Sequence, residues 1–216
     1  MKIGILGSGL MGGKLGTILA RAGHDIVFSY ARSSDKLERL AREAGATARA
    51  GAPHQAVADA DAVLVAVHWD RLDDVLGQAG DLVGKTVLSC SLPMNEDESD
   101  LVVGLTTSGA EELARKIAGA HIVAAFNTVP SEVLFGVFEA RGKGAGPGLV
   151  YCGDDDAAKR TAASLIADAG FAPVDAGPLR IARYTEPFGL LMGQLAYEGS
   201  GGPELAYRFQ RFAAPE

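Results

Sequence analysis

The sequence predicts an α/β protein with a doubly wound, mainly parallel sheet, and three observations support this fold class. Strand-length apolar segments alternate with helical patterns along most of the 216 residues. Residues 62–67, Ala-Val-Leu-Val-Ala-Val, are apolar throughout, which is typical of a central parallel strand covered on both faces. Residues 2–12 join a short apolar run to a glycine-rich turn and the start of a helix.

The glycines of this turn have the spacing of a dinucleotide-binding motif. In the pattern G-x-G-x-x-G, Gly7 permits a tight turn, Gly9 lets a pyrophosphate approach the backbone and Gly12 lets helix and strand pack closely. The predicted fold is therefore of the Rossmann type, although a glycine-rich loop in another α/β protein is the alternative. The residues predicted to hold the pyrophosphate, at the N-terminus of a helix that begins near Leu10, are Gly7, Ser8, Gly9, Leu10, Met11 and Gly12.

The end of the second predicted strand, residues 24–30, indicates which nucleotide is bound. In this fold an acidic residue there accepts a hydrogen bond from the ribose of NAD, and the sequence has no Asp or Glu at that end. Arg32, Ser33 and Lys36 instead offer a guanidinium, a hydroxyl and an ammonium group to a 2′-phosphate. The pattern favours NADP, with the alternative that Ser33 or Ser34 only caps the next helix and Arg32 is solvated.

Two further strand ends carry candidate site residues. The central strand leads through Val67, a predicted cofactor contact, into His68, where a ligand lies in open parallel sheets. His68 is a candidate acid or hydrogen-bond donor, or else a helix cap that contacts the cofactor through its backbone. Asn127 and Thr128 follow the predicted strand at residues 121–126 and are candidates for contacts to a nicotinamide or a second substrate. Asparagine at a strand end is also a common turn former.

The glycine-rich stretch at residues 141–148 is the clearest break in the chain. It divides a predicted NADP-binding domain, residues 1–140, from a small C-terminal α/β extension, residues 149–216, assigned to the substrate pocket. Asp154 is the expected cap of a helix that ends near residue 169, and residues 179–197 are predicted to form an apolar helix despite Pro187. That helix needs a partner, so a homodimer is expected.

Composition excludes several classes of function. The formal net charge is −7 without a long basic run, which argues against a general nucleic-acid or anionic-membrane surface. Cys90 and Cys152 lie in apolar, strand-like segments, where buried free thiols are expected rather than a disulfide or a metal site. No apolar segment reaches the length of a membrane span, and the expected location is the cytoplasm.

Four motifs together resemble one enzyme family along nearly the whole chain. They are residues 7–12 (Gly-Ser-Gly-Leu-Met-Gly), 108–112 (Ser-Gly-Ala-Glu-Glu), 125–130 (Ala-Phe-Asn-Thr-Val-Pro), and the pair 150–156 (Val-Tyr-Cys-Gly-Asp-Asp-Asp) and 174–179 (Val-Asp-Ala-Gly-Pro-Leu). The chain resembles the oxidoreductases that exchange hydride between NADPH and the deazaflavin coenzyme F420, and their relatives in the cytosolic domain of the STEAP metalloreductases. The resemblance implies a second ring stacked on the nicotinamide. Some deazaflavin enzymes have His at the position of Asn127 and Pro at that of His68, so the second substrate, F420 or a flavin, stays open.

The leading hypothesis is direct hydride transfer between NADPH and a deazaflavin or flavin, in which the cofactors supply the chemistry and the protein aligns them. The second is an NADP-dependent dehydrogenase of a small hydroxy acid or imine, with His68 as the proton donor. The third is an NADPH-binding sensor without catalysis. None of the three needs a metal.

Overall fold

The computed structural model describes residues 1–212 and contains one eight-stranded sheet with the strand order β3-β2-β1-β4-β5-β6-β7-β8. The strands are β1 Lys2–Leu6, β2 Asp25–Ser29, β3 Ala48–Ala50, β4 Ala62–Val65, β5 Thr86–Ser89, β6 His121–Ala124, β7 Gly148–Gly153 and β8 Ala172–Asp175. The predicted Rossmann-type α/β class is confirmed.

Eight α-helices are described, and they lie between or after the strands. They are α1 Leu10–Arg21, α2 Ser34–Ala44, α3 Pro53–Ala58, α4 Leu72–Ala79, α5 Gly109–Lys116, α6 Val133–Ala140, α7 Asp156–Asp168 and α8 Ala182–Gly193. Single 3₁₀ turns, Trp69–Arg71 and Leu179–Ile181, precede α4 and α8, and a π-helical turn, Gln194–Glu198, follows α8. None of the helices in residues 1–212 combines the length and the apolar character needed to cross a membrane.

The sheet is covered on both faces because successive side chains of each strand point to opposite sides. On β4, Ala62 and Leu64 join a core that includes residues of α1, α2, α6 and α7. The intervening Val63 and Val65 join a second core with residues of α3, α4 and α5. This explains why the strand is apolar at every position, as expected for a doubly wound sheet.

The C-terminal part of the chain extends the same sheet. Strand β7 pairs antiparallel with β6, with Ala124 opposite Cys152, and β8 then pairs parallel with β7. The glycine-rich residues 141–148 connect α6 to β7, so the predicted boundary falls between elements. The division into two domains stays a prediction, and its last residues, 213–216, lie outside the described part.

Two local predictions need correction. Asp155, not Asp154, caps α7, since its carboxylate accepts from the Ala158 N–H at 2.7 Å. Asp154 instead accepts from the Leu179 N–H at 2.8 Å and ties the loop before α8 to the end of β7. The predicted helix over residues 179–197 is divided into a 3₁₀ turn, α8 and the π-helical turn.

Candidate functional site

The candidate site lies at the carboxyl ends of the strands, where the direction of the strand order reverses. From β1 the chain proceeds outward to β2 and β3, then crosses back to add β4 and β5 on the other side of β1. The loops after β1 and β4 therefore diverge and leave a crevice between them, which is the ligand position in open α/β sheets.

The geometry of the three glycines in the first loop fits the roles that their spacing predicts. Gly7 has a φ of +105°, and a Cβ there would lie 2.4 Å from the Ala66 carbonyl oxygen. A Cβ at Gly12 would lie 2.0 Å from the Gly7 carbonyl oxygen. A Cβ at Gly9 would meet no protein atom within 4 Å, so the backbone at Gly9 faces open space. These contacts fit a turn that a phosphate group can approach closely.

The first N–H groups of α1 have no side-chain cap and no acidic residue in the first turn. Leu10, whose N–H lies among them, is exposed, with a relative exposure of 70%. Met11 is half-buried behind it. The N-terminus of α1 thus offers unpaired donors and a positive dipole end to an anion.

Ser8 is committed to the protein rather than to the crevice. It is fully buried, its hydroxyl donates to the Ser29 carbonyl oxygen at 2.9 Å, and its N–H donates to the Tyr30 carbonyl oxygen at 3.1 Å. The predicted contact between the Ser8 hydroxyl and the pyrophosphate therefore does not fit this geometry. Ser8 holds the glycine-rich turn against the end of β2.

The residues predicted to bind a 2′-phosphate begin the next helix. Ser33 is the N-cap of α2 and accepts from the Lys36 N–H at 3.4 Å, so the capping alternative is realised. Its hydroxyl hydrogen and the side chains of exposed Arg32 and half-buried Lys36 stay available. Within residues 1–212, Arg32 and Lys36 take part in no ion pair, so both cations are free to meet an anion.

A polar contact that the sequence reasoning missed joins the loops after β2 and β4. The Tyr30 hydroxyl accepts from Arg71 Nε at 3.2 Å and donates to the Asp74 carboxylate, which also contacts Arg71 Nη2 at 3.3 Å. Burial and the bond to Asp74 raise the pKa of Tyr30. Tyr30 has a φ of +55°, unusual for a residue with a bulky side chain. A sequence pattern does not reveal a positive φ, so the contact of Tyr30 with Arg71 and Asp74 could not be predicted from the sequence.

Beyond β4, Val67 lies against the glycine-rich turn, since a Cβ at Gly7 would be 2.6 Å from Val67 Cγ1. The Val67 carbonyl accepts from the Ser91 hydroxyl at 2.6 Å. His68 follows with an exposed side chain whose Nδ1 lies 2.8 Å from Glu98 Oε1. Glu98 comes from the acidic loop at residues 95–100, Asn-Glu-Asp-Glu-Ser-Asp.

The end of β6 holds a strained turn and an unpaired amide. Phe126 is fully buried with a φ of +65°, so the chain reverses sharply just before Asn127. Asn127 has a relative exposure of 6%, and its Nδ2 has no hydrogen-bond partner within residues 1–212. Such a donor costs about 1–3 kcal/mol when left unpaired, and strain of this kind collects at ligand sites.

Thr128, in contrast, is used by the C-terminal segment. Its Oγ1 lies 2.8 Å from the Tyr207 hydroxyl, which also accepts from the Val150 N–H at 2.9 Å. Tyr207 packs edge-on against Phe188 and Phe209, which hold its ring in place. The side chain of Thr128 therefore anchors the chain end beside the site, which does not fit the predicted contact with substrate.

A second polar group that sequence reasoning missed lies between α1 and the C-terminal segment. Lys14 Nζ is 3.2 Å from the Ser131 hydroxyl and 4.0 Å from Glu132, and Glu132 accepts from the Tyr197 hydroxyl at 2.8 Å. Burial, the bond to Glu132 and the charges of Glu132 and Glu98 raise the pKa of Tyr197. Glu98 is therefore close enough to act on both Tyr197 and His68.

Two other parts of the molecule lack the features of the crevice. Residues 1–212 contain no cluster of three or more His, Cys, Asp or Glu side chains arranged to hold a metal ion. A cleft of about 370 Å³ lies at the opposite, amino end of the strands and is lined partly by Asp25, Arg49 and Asp59. It contains none of the predicted site residues, and we assign the candidate site to the crevice because the free backbone donors lie there.

The N-terminal part of the chain, which contains the glycine-rich turn, matches a known protein family. Residues 2–93 match the family described as NADP oxidoreductase coenzyme F420-dependent. The metalloreductase STEAP3 of Rattus norvegicus is 29% identical over 185 residues, which are 86% of this chain but only 36% of that protein. The chain thus spans about a third of the length of this relative. The resemblance inferred from the motifs is confirmed.

Solved structures support the same fold over a larger part of the chain. A provisionally assigned F420-dependent NADP reductase from an Arthrobacter species has a TM-score of 0.85 at 23% identity, covering 98% of this chain and all of that one. A reductive aminase from Aspergillus terreus, solved with NADPH, has a TM-score of 0.63 at 19% identity, covering 89% of this chain and 60% of the other. At these identities the likeness shows the fold alone.

Proposed function

We propose that this chain binds NADPH across the crevice and transfers its hydride to a deazaflavin or flavin ring. The observation that carries the proposal is the uncapped N-terminus of α1, which follows the open backbone at Gly9. The unpaired cations Arg32 and Lys36 follow β2, which pairs with β1, and the buried, unpaired amide of Asn127 follows β6.

For the nucleotide, the pyrophosphate would rest on the backbone between Gly9 and Gly12, and the 2′-phosphate would meet Arg32, Ser33 and Lys36. The match of residues 2–93 to an NADP oxidoreductase family supports this assignment. The close contacts of Gly7 and Gly12 hold the turn in shape, so little ordering is needed when the nucleotide binds.

For the acceptor, bound NADPH would supply the hydride, and the protein would hold the two rings in register. The Asn127 amide is suited to donate to a carbonyl oxygen of the nicotinamide or of the acceptor ring. Val67 and Met11 would border the nicotinamide on its apolar side. His68, held by Glu98, would exchange a proton with the acceptor or with water.

A second candidate is reduction of a small imine or carbonyl compound by NADPH. The contact between His68 Nδ1 and Glu98 favours it, because a carboxylate beside an imidazole supports a general acid. Other structurally similar proteins include reductive aminases and pyrroline carboxylate reductases. His68→Ala should then abolish turnover, whereas hydride transfer to a ring should survive this change.

In this proposal the C-terminal helix packs against a second copy of the chain. Tyr184, Leu191 and Leu195 expose more than half of their surface. A homodimer in the cytoplasm would cover this apolar surface, and sedimentation at several protein concentrations tests the dimer.

The test of function is anaerobic oxidation of NADPH, followed by its absorbance, with a deazaflavin, FMN, riboflavin or a cyclic imine as acceptor. Turnover with a ring acceptor and persistence of that turnover in His68→Ala would support hydride transfer between rings. Turnover with the imine alone would support the second candidate. Tight NADPH binding with no turnover on any acceptor would indicate a nucleotide-binding sensor.

A further inference from the structure

A bridge of three side chains joins the loops that follow β2 and β4. Strand β1, which leads into the glycine-rich turn, lies between these two strands. Tyr30 comes directly after β2, Arg71 ends the 3₁₀ turn after β4, and Asp74 lies in the first turn of α4. The Tyr30 hydroxyl accepts from Arg71 Nε at 3.2 Å and donates to the Asp74 carboxylate. The Tyr30–Arg71–Asp74 bridge therefore connects the two strand ends that flank the turn.

Tyr30 is also attached to the glycine-rich turn through its backbone. Its carbonyl oxygen accepts from the Ser8 N–H at 3.1 Å. The φ of +55° at Tyr30 is strained for a residue with a Cβ, and such strain collects at ligand sites. The Arg71 and Asp74 side chains are 56% and 51% exposed, and an exposed ion pair adds little stability. Folding stability alone thus gives no reason for this arrangement.

The charge of Arg71 is already matched within the bridge. Its Nη2 donates to the Asp74 carboxylate at 3.3 Å, whereas Arg32 and Lys36 form no ion pair within residues 1–212. A phosphate is therefore attracted to Arg32 and Lys36 more strongly than to Arg71. The hydrogen bonds from Nε and Nη2 lie in the plane of the guanidinium group, so they leave its two faces free. A guanidinium face stacks well on an aromatic ring.

The ligand group expected beside this bridge is the base of the nucleotide. In this fold the ribose of the adenosine meets the end of β2, and Tyr30 is the first residue after that strand. We infer that the guanidinium face of Arg71, held in place by Tyr30 and Asp74, stacks on the adenine of NADPH. The inference rests on the proposed function, because it concerns the nucleotide of that reaction.

The first test is calorimetric titration of Arg71→Ala with NADPH and with NADH. Both nucleotides carry the same adenine, so we expect both to bind about tenfold more weakly than to the wild type. Arg71→Lys should not restore the affinity, because an ammonium group has no planar face. Tyr30→Phe should weaken both nucleotides about threefold, since it removes the hydroxyl that holds the guanidinium group.

Arg115→Ala is the matched control. Arg115 is 58% exposed, forms an ion pair with Glu112 and donates to the Thr107 hydroxyl at 3.1 Å, so it resembles Arg71 in its contacts but lies in α5. Its removal should leave both dissociation constants unchanged. Thermal unfolding of each variant shows whether a lost affinity reflects a lost fold.

The second test locates the base directly. In the isotope-labelled protein saturated with NADP⁺, we expect nuclear Overhauser effects between the adenine H2 and H8 protons and the Cδ protons of Arg71. Such effects to other side chains with none to Arg71 would overturn the inference. It would also be overturned by unchanged affinities in Arg71→Ala, by full rescue in Arg71→Lys, or by a loss confined to NADPH, which would assign Arg71 to the 2′-phosphate.

The outcome is separable from that of the proposed function. Equal losses for NADPH and NADH in Arg71→Ala, without hydride transfer to any acceptor, would refute the reaction and leave the adenine contact intact. Hydride transfer by a protein whose NADPH affinity does not depend on Arg71 would refute the adenine contact alone. A wild-type protein that binds no NADPH would contradict both.

Discussion

Two helices begin at the carboxyl ends of the strands, and the protein treats their N-termini in opposite ways. Helix α5 is closed by its own chain, because Ser108 caps it and the buried Glu186 carboxylate accepts from the N–H groups of Gly109 and Ala110 at 2.8 and 2.9 Å. Helix α1 has neither a side-chain cap nor an acid. Because free N–H groups at a helix N-terminus favour anions, this difference is the basis for the proposal that α1 binds the nucleotide phosphates.

The largest expected effects come from two glycine substitutions at the start of α1, one that disturbs packing and one that blocks the proposed phosphate position. Gly12→Ala places a Cβ against backbone and should lower the free energy of unfolding by about 3 kcal/mol and abolish NADPH binding. Gly9→Ala meets no protein atom, so it should keep the stability of the wild type and still weaken NADPH binding by more than about tenfold, because the methyl group fills the pyrophosphate position.

Urea unfolding and calorimetric titration measure the two effects. Gly77→Ala, in helix α4 with no atom within 4 Å of the added Cβ, is the control and should bind NADPH normally. Normal NADPH binding by Gly9→Ala would show that the phosphates lie elsewhere.

The closed helix predicts a dependence of stability on pH. Burial raises the pKa of Glu186 to about 7, against the effect of its two backbone N–H bonds, while the unfolded chain has an ordinary glutamate pKa. A raised carboxyl pKa means that the folded protein holds its proton more tightly. The stability that protonated Glu186 adds to the folded protein is therefore complete below about pH 4.5. It is lost as the pH rises towards 7, by up to roughly 3 kcal/mol.

Glu186→Gln should remove most of the change in the free energy of unfolding with pH. Glu139→Gln, which removes an exposed carboxylate, should leave this pH dependence unchanged. The measurement is urea unfolding at a series of pH values. A slope that persists in Glu186→Gln would assign the titration to another group.

The unpaired cation Arg32, just before α2, predicts selectivity between nucleotides. Arg32→Ala should weaken NADPH about 10- to 100-fold, because hydrogen bonds to a charged group contribute about 1.5–3 kcal/mol, and should leave NADH nearly unchanged. Arg39→Ala, in helix α2 just after Arg32 in the chain but paired with Glu43, is the control. Equal losses for NADPH and NADH would contradict the assignment of a 2′-phosphate to this end of the crevice.

The smallest effect separates two serine caps. Ser108→Ala should cost about 1 kcal/mol of stability without changing NADPH affinity. Ser33→Ala should cost a similar amount and also weaken NADPH a few-fold, because Ser33 faces the predicted phosphate. Thermal unfolding and NADPH titration of both variants test the difference. Unchanged NADPH affinity in Ser33→Ala would show that Ser33 only caps α2 and does not contact the phosphate.

Much of the fold could be predicted because its determinants are local. The G-x-G-x-x-G spacing and the apolar run that forms β4 each depend on neighbouring residues, as does the cap of α5, where the Ser108 side chain accepts from the Glu111 N–H. The pair of N–H bonds to Glu186 could not be predicted, because 76 and 77 residues separate the partners. A glutamate in a helical pattern is usually exposed, and no neighbouring residue indicates that Glu186 accepts from the first N–H groups of another helix.

The assignment of residues to the site stays a prediction, and the structure shows which of their side chains make long-range contacts within the protein. At Gly7 and Gly12 the surrounding backbone leaves no room for a Cβ, whereas a Cβ at Gly9 would meet no protein atom, so the role of Gly9 beside a pyrophosphate stays a prediction. Ser8 and Thr128 were chosen for their positions, yet their hydroxyls bond to Ser29 and Tyr207. Asn127 was chosen by position as well, and its buried, unpaired amide could be recognised only in three dimensions.

The most direct test of the open helix is an amide NMR titration of the isotope-labelled protein with NADPH. The account predicts large shifts for the N–H groups of Gly9, Leu10, Met11 and Gly12, and none beyond small indirect changes for Gly109 and Ala110. Shifts at Gly109 and Ala110 with none at α1 would contradict it, because they would show the nucleotide displacing Glu186 from the other helix.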